Sequence, residues 1–291
     1  MLDQTPTRVG AGERAVLPGV GSVAWRIHRE IVILLAWGRA ILLQFAHPLV
    51  ASGVADHSPF RTERSGRFNR LYRTLDAMLG LTFGTAEEAE RVARRINGIH
   101  DRIHGRLGEA AAGLSEGTAY SAHDPALLRW VHATLLESHL LVYELYVGAL
   151  TPEEKDRYCA DTTGMESLLG MPEGYLPRSL TGLQDYIHGM LGSGEIAVTD
   201  VARELGREIV SLGLPRVARP LTWVAELPTI GLLPPTIRAA YGFRWGPGQE
   251  KALHMSARVI RAALPLVPSA LRHWPSARAA LRAKSRGSGG A

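Results

Sequence analysis

One cysteine, very few lysines and no uninterrupted membrane-length apolar run set the first limits on this chain of 291 residues. The lone thiol, Cys159, excludes an intramolecular disulfide, a cysteine-based zinc site and a cysteine-ligated iron–sulfur cluster. An inert core thiol is the plain expectation, with a single ligand or a nucleophile still open. The most apolar stretch, Ile31–Ala46, reads IVILLAWGRAILLQFA; Arg39 and Gln44 interrupt it and His47-Pro48 closes it. That is short of the roughly 20 apolar residues a span needs, so a helix buried in a soluble protein is expected. Met1–Glu13 is polar and no basic stretch leads into an apolar one, which argues against a secretory leader and for a cytoplasmic location.

Common catalytic signatures are missing as well. There is no G-x-x-x-x-G-K, H-E-x-x-H or Glu-x-x-His pattern. The G-x-G-x-x-A matches that start at Gly10 and Gly19 follow no predicted strand and so lack the setting a dinucleotide site requires. Of the 33 basic residues only Lys155, Lys251 and Lys284 are lysines, and the formal net charge is +5. The arginines are spread through amphipathic segments beside Asp and Glu. The one dense patch, Arg261–Arg286, reads equally well as a disordered basic end, so no nucleic-acid partner is expected.

What is present is helical periodicity. Candidate helices are Val23–Phe45, Arg67–Leu79, Ala86–Leu107, Pro125–Gly148, Pro152–Gly164, Leu180–Leu191, Thr199–Ser211, Thr222–Leu227, Pro234–Ala240 and Gln249–Ala263. Thr85 before Ala-Glu-Glu, Asp124-Pro125 and Thr151-Pro152-Glu-Glu are helix starts, and Gly80, Gly148 and Gly164 stand where helices stop. The fold class is all-α with one globular domain. Residues 1–20 read as a flexible N-terminal segment, 21–248 as the helical domain, 249–283 as a helical segment packed on it, and 284–291 as a flexible tail.

Histidines are the chemically interesting inventory. His28, His123, His188, His254 and His273 stand in polar or terminal settings and need no function. In Ala86–Leu107 the residues Ala89, Val92, Ala93, Ile96, Ile99, Ile103 and Leu107 form one apolar stripe. His100 lies within it and His104 on its flank, one turn on. An inward imidazole needs a hydrogen bond, a counter-charge or a metal. A core imidazole on a backbone carbonyl, an axial cofactor ligand, and a smaller metal shared by His100, His104 and His47 all suit the spacing. On Arg67–Leu79, Arg70 and Thr74 stand one turn apart with Arg73 between: either a solvated basic face, or a guanidinium and hydroxyl at a pocket edge. His47 ends the most apolar helix, where it can project into a cavity. Asp56-His57-Ser58 follows in a loop. His132 and His139, with Trp130, Glu137 and Glu144, read as structural.

Four stretches together resemble the MpaB-type oxygenase family, which includes the rubber oxygenases (latex clearing proteins): AWGRAILLQFAHPLVASGVADHS (Ala36–Ser58), RFNRLYRTLDAMLGLTFGTAEEAERVARRINGIHDRIHG (Arg67–Gly105), YSAHDPALLRWVHATLLES (Tyr120–Ser138) and the weaker LLPPTIRAAYGFRW (Leu232–Trp245). They extend over roughly residues 21–248. The resemblance implies a globin-like helical core holding haem b, and O₂-dependent cleavage of carbon–carbon double bonds in polyisoprene or terpenoid chains. The family's His-x-x-(Val/Ile)-x-Gly pattern falls on His100, Ile103 and Gly105, making His100 the iron ligand, with His104 as the fallback for a slip of one turn. Its Arg-x-x-x-Thr pair falls on Arg70 and Thr74, lining the haem pocket or holding propionates, and its His-Pro motif on His47, lining the pocket. Two features depart from rubber oxygenases. Arg73 replaces a distal lysine, and as a permanently charged, poor ligand it implies an open or water-bound distal side. No export signal is seen, which points away from extracellular polyisoprene.

The expectation is therefore a haem b-dependent oxygenase or oxidase using O₂ on a small intracellular hydrophobic or aromatic substrate, with Arg70, Thr74 and Arg73 as catalytic residues. A homodimer is compatible with it. The alternative is a non-catalytic helical protein that binds haem or a hydrophobic ligand.

Overall fold

Residues with a side-chain oxygen ahead of an apolar run become helix starts, and the order of helices follows from them. The computed structural model describes residues 18–57, 64–211 and 219–287, the side chains of 64–72, 211, 219–223 and 286–287 excepted. Residues 1–17 of the expected N-terminal segment and 288–291 of the expected tail lie outside them. Along the chain come α1 (Val23–His28), a 3-10 turn (Ile31–Leu34), α2 (Leu35–Phe45), α3 (Pro48–His57), α4 (Arg64–Phe83), α5 (Ala86–His100), β1 (His104–Arg106), β2 (Ala119–Ser121), α6 (Pro125–Tyr146) and α7 (Pro152–Asp161). Then follow α8 (Met165–Leu169), α9 (Leu180–Gly192), α10 (Asp200–Ser211), α11 (Arg219–Gly231), α12 (Pro235–Ala240), α13 (Pro247–Ala263), a second 3-10 turn (Leu264–Leu266), α14 (Ser269–Arg272) and α15 (Pro275–Gly287). The fold is mostly helical, as expected, with one antiparallel hairpin among the described residues, in which His104 faces Ser121, Gly105 faces Tyr120 and Arg106 faces Ala119.

Three caps read from the sequence are formed. Thr85 and Glu88 make a reciprocal capping box on α5, Thr151 and Glu154 make another on α7, and Asp124 accepts from the Ala126 N–H ahead of Pro125. Two of the expected stops are not. α4 runs through Gly80 to Phe83, because a Cβ at Gly80 would stand 2.9 Å from Val92 Cγ2: the glycine serves close packing of α4 on α5. α7 ends at Asp161, and Gly164 instead precedes α8.

α2 is the hub, packed on α6, α10 and α11. Its one charge, Arg39, is 2% exposed and fully engaged: Nε donates to Leu232 O (2.7 Å), Nη1 to Ser138 Oγ (2.7 Å) and Nη2 to Glu137 Oε2 (2.8 Å). Gly38 lets α11 approach, since a Cβ there would overlap Thr229 Oγ1 at 2.2 Å. Trp130 Nε1 and Tyr241 Oη donate to the Leu43 and Leu42 carbonyls. One apolar cluster collects residues from Val23 to Ala257.

The single long helix expected over Val23–Phe45 is broken at Glu30. That residue is extended and 1% exposed, and its carboxylate receives both Arg272 N–H groups (2.7 and 2.9 Å), with His273 Nε2 at 3.2 Å. A partner some 240 residues away, invisible to local periodicity, decides the break. The same contact corrects the reading of Arg261–Arg286 as a disordered end. α13 to α15 occupy it, Trp274 N donates to Arg29 O, and Ala277 is buried against Trp25 and Phe83. Residues 284–287, expected in the tail, are the last turn of α15, and Lys284 Nζ donates to Val20 O. Among the described residues no single helix is long and apolar enough to cross a membrane; the apolar stretch from Ile31 meets α3 at a bend of 104°.

Candidate active site

α4 and α5 form an antiparallel pair whose register is marked by Gly80 against Val92 and by Asp76 Oδ2 accepting from Arg95 Nη2 at 3.0 Å. That register sets positions 70 to 74 of α4 level with the last turn of α5, where His100 stands. The chain thus brings Arg70, Arg73 and Thr74 to the height of His100 along the pair. Arg73 and Thr74 are exposed, and the Arg70 side chain lies outside the described residues.

His100 is half-buried, and its Nδ1 is buried without a hydrogen-bond partner. Three residues earlier on the same helix, Asn97 Oδ1 is in the same condition, while Asn97 Nδ2 donates to Leu168 O at 3.0 Å. Burial pushes the His100 pKa down, the nearby His123 ring adds to this, and Asp101 opposes it. A neutral imidazole with an unused ring nitrogen is the form that ligates a metal. His123, edge-on at 5.7 Å between centroids, is itself held by Asp101 Oδ1 at 2.8 Å.

The helix expected to run on to Leu107 stops at His100, so the one-turn spacing expected between His100 and His104 is not formed. His104 is in β1, exposed, with its carbonyl near His57 Nε2 at 3.0 Å. It is not one turn further along the same face. The reason is Gly105: a Cβ there would meet Tyr120 Oη at 2.5 Å, so this glycine makes room for a phenol that donates to Asp56 Oδ2 at 2.6 Å. The hairpin, not a continued helix, uses the Ile103 and Gly105 positions. Asp56 and His57, expected in a loop, close α3.

His47 sits at the α2–α3 bend, 5% exposed, with Nδ1 accepting from the Leu49 N–H at 3.3 Å. It caps the start of α3. Burial lowers its pKa, against the pull of Glu195 and Asp124. Among the described residues no group of three or more His, Cys, Asp or Glu is placed to hold a metal ion, so the trio His47, His100 and His104 is not assembled. The cleft between α4, α5 and α15, about 660 Å³, is lined by Leu79, Phe83, Val92 and Ala280 among others, and not by His100.

Sequence reasoning missed a second polar centre. His28 is buried, not terminal: its Nε2 is 2.9 Å from Tyr158 Oη, and its Nδ1 is 3.4 Å from Thr82 Oγ1. Tyr158 Oη is also 3.0 Å from His139 Nδ1, and His132 Nε2 is 3.2 Å from Thr162 Oγ1. Burial pushes His28 and His132 down to about 4, His139 well below the usual range and Tyr158 well above its own. The group is therefore neutral. A phenol has one proton to give, so one imidazole must donate to it. With Tyr158 donating to His28 and His139 Nδ1–H donating to Tyr158, each of these contacts is satisfied and His139 Nε2 remains a bare buried lone pair. The spacing Ala24, Ile27, His28 could have flagged the burial of His28. Cys159, next to Tyr158, is fully buried and its thiol is pushed up to about 12 by burial, as suits an inert core cysteine.

Compared with known proteins, the family described as ER-bound oxygenase mpaB/B'/rubber oxygenase, catalytic domain, matches residues 25–262. No curated protein matches the chain, and no solved structure does.

Proposed function

The chain belongs to the ER-bound oxygenase mpaB/B' and rubber oxygenase catalytic-domain family and is on that footing an oxidoreductase; we propose that it is a haem b-dependent oxygenase or oxidase acting with O₂ on a small hydrophobic or aromatic molecule. The observation that carries the reading is the buried, unpartnered Nδ1 of a neutral His100 at the end of the α4–α5 pair. Polar atoms left unpaired in a protein interior cost free energy and mark a missing partner.

When bound, haem supplies the iron and the redox chemistry with O₂. His100 would ligate the iron, its neutral state maintained by burial. Arg70 and Thr74, set by register beside the last turn of α5, would hold the propionates through a guanidinium fork and a hydroxyl. Arg73 keeps its charge and would bind an anion or a solvent molecule, not the metal. His47, committed to capping α3, would shape the wall and not act on the substrate.

His139 is the other described histidine with a buried, unpartnered ring nitrogen, so it is the internal control. The test is the visible spectrum and pyridine haemochrome of protein from haem-replete cells, for wild type, His100→Ala and His139→Gln. A Soret band at about one haem per chain, lost in His100→Ala and retained in His139→Gln, is expected. A colourless wild type overturns the cofactor, and loss confined to His139→Gln reassigns the ligand. Substrate-dependent O₂ uptake then separates an oxygenase from a silent carrier.

A further inference from the structure

The last stretch of the chain differs in charge from everything before it. Residues 251–291 hold eight of the 33 basic side chains and no Asp or Glu, against 25 basic and 28 acidic in the first 250. Five of the six exposed large apolar side chains among the described residues, Met255, Val259, Leu266, Leu271 and Leu281, also belong to it.

α13 and the turn after it show how the two features combine. Leu253, Ala257, Ile260 and Leu264 repeat at intervals of four, three and four residues and face the core or its margin. Met255, Val259, Ala262 and Leu266 repeat the same intervals on the other side, and three of them are 48%, 60% and 84% exposed. Leu264 keeps helical dihedrals, so the outer stripe continues into the turn. A helix packed on one core needs a single apolar stripe; a second one facing water is unfavourable until something covers it. Lys251, Arg258 and Arg261 flank the outer stripe and are exposed, and Arg261 makes only a long 3.5 Å contact to Glu144 O. The nearest carboxylate in sequence, Glu250, is occupied by Trp245 and His254.

We propose that the outer face of α13 and the Leu264–Leu266 turn docks on an anionic lipid bilayer surface. Met255, Val259 and Leu266 enter the boundary between headgroups and acyl chains, and Lys251, Arg258 and Arg261 meet the lipid phosphates and carboxylates. A second copy of the chain would set cation rows against each other with no carboxylate to answer them. Nucleic acid would satisfy the cations and leave a leucine that is 84% exposed without an apolar partner. The helix lies along the surface and does not span, and the proposal stands whether or not the cofactor reading does.

The full chain is floated with vesicles of phosphatidylcholine containing phosphatidylserine and, separately, of phosphatidylcholine alone. Binding to the anionic vesicles only, weakened by added salt, is expected. Leu266→Asp should lower the affinity tenfold or more and Arg258→Gln about fivefold, with circular dichroism and thermal midpoint unchanged because both side chains face solvent. Failure to float with anionic vesicles, or wild-type binding by Leu266→Asp, overturns the proposal. A concentration-dependent dimer abolished by Leu266→Asp would give the stripe to a second copy, and tighter binding to duplex DNA than to vesicles would give the cations to nucleic acid; either result also overturns it.

Discussion

A neutral imidazole in a dry interior is a pH-dependent element of stability, and His28 is the clearest case. Folded, it protonates only near pH 4; unfolded, near its ordinary 6.5. The unfolded chain therefore binds more protons between those values, so this stabilisation is complete above about pH 6.5 and is lost as the pH falls toward 4, by on the order of 3 kcal/mol. His132 and His139 act in the same direction. Urea midpoints should drop steeply over that window, and a flat profile would contradict the neutral cluster. Tyr158→Phe removes the hydroxyl that both His28 and His139 use, leaving two buried nitrogens unpaired. A loss of about 2 to 4 kcal/mol is expected from denaturant curves near pH 7, where the histidines are neutral in both states.

At the level of elements, the α4–α5 pair and the hairpin after it set the position of His100. Thr85→Ala deletes one half of the α5 capping box and should cost about 1 kcal/mol, read as a lowered thermal midpoint with the fold retained. Gly105→Ala should do more. Its methyl would overlap Tyr120 Oη and break the Tyr120–Asp56 hydrogen bond, costing about 1 to 3 kcal/mol and shifting the hairpin that ends α5. Comparing it with the isosteric loss of the hydrogen bond alone, in Tyr120→Phe, separates crowding from bonding. If Gly105→Ala were as stable as the wild type, the hairpin register would be wrong. These two elements also show how a local pattern can be right about a residue and wrong about its neighbour. The apolar stripe selects His100 correctly as lying on α5, but it cannot see the cross-strand phenol that lies over Gly105 in the hairpin that follows.

Across the whole molecule, the two ends of the chain are clasped through Glu30. A buried carboxylate with a bidentate arginine is costly to disrupt because the remaining charge is stranded. Glu30→Ala should therefore cost about 3 to 5 kcal/mol and release α14 and α15, which limited proteolysis would detect as cleavage after α13 ahead of any cut in the α2–α6 core. Cleavage starting instead inside α6 would show that the clasp does not hold the end in place.

The all-α class, three helix caps and the position of His100 were legible in the sequence, because they depend on interactions within one helical turn or on a stripe of 3.6-residue period. So was the family, carried by motifs such as His47-Pro48 and His100-x-x-Ile103-x-Gly105. Only the tertiary structure could break the first helix at Glu30, move His104 from a helix into a strand, order the basic end, and gather His28, His132, His139 and Tyr158. Each of those outcomes depends on a partner far away in the chain: Arg272 for Glu30, Tyr120 for Gly105, Tyr158 for His28. Local periodicity reports which face of a segment is apolar, whereas the satisfaction of a buried charge or ring nitrogen is decided by whatever the folded chain brings beside it.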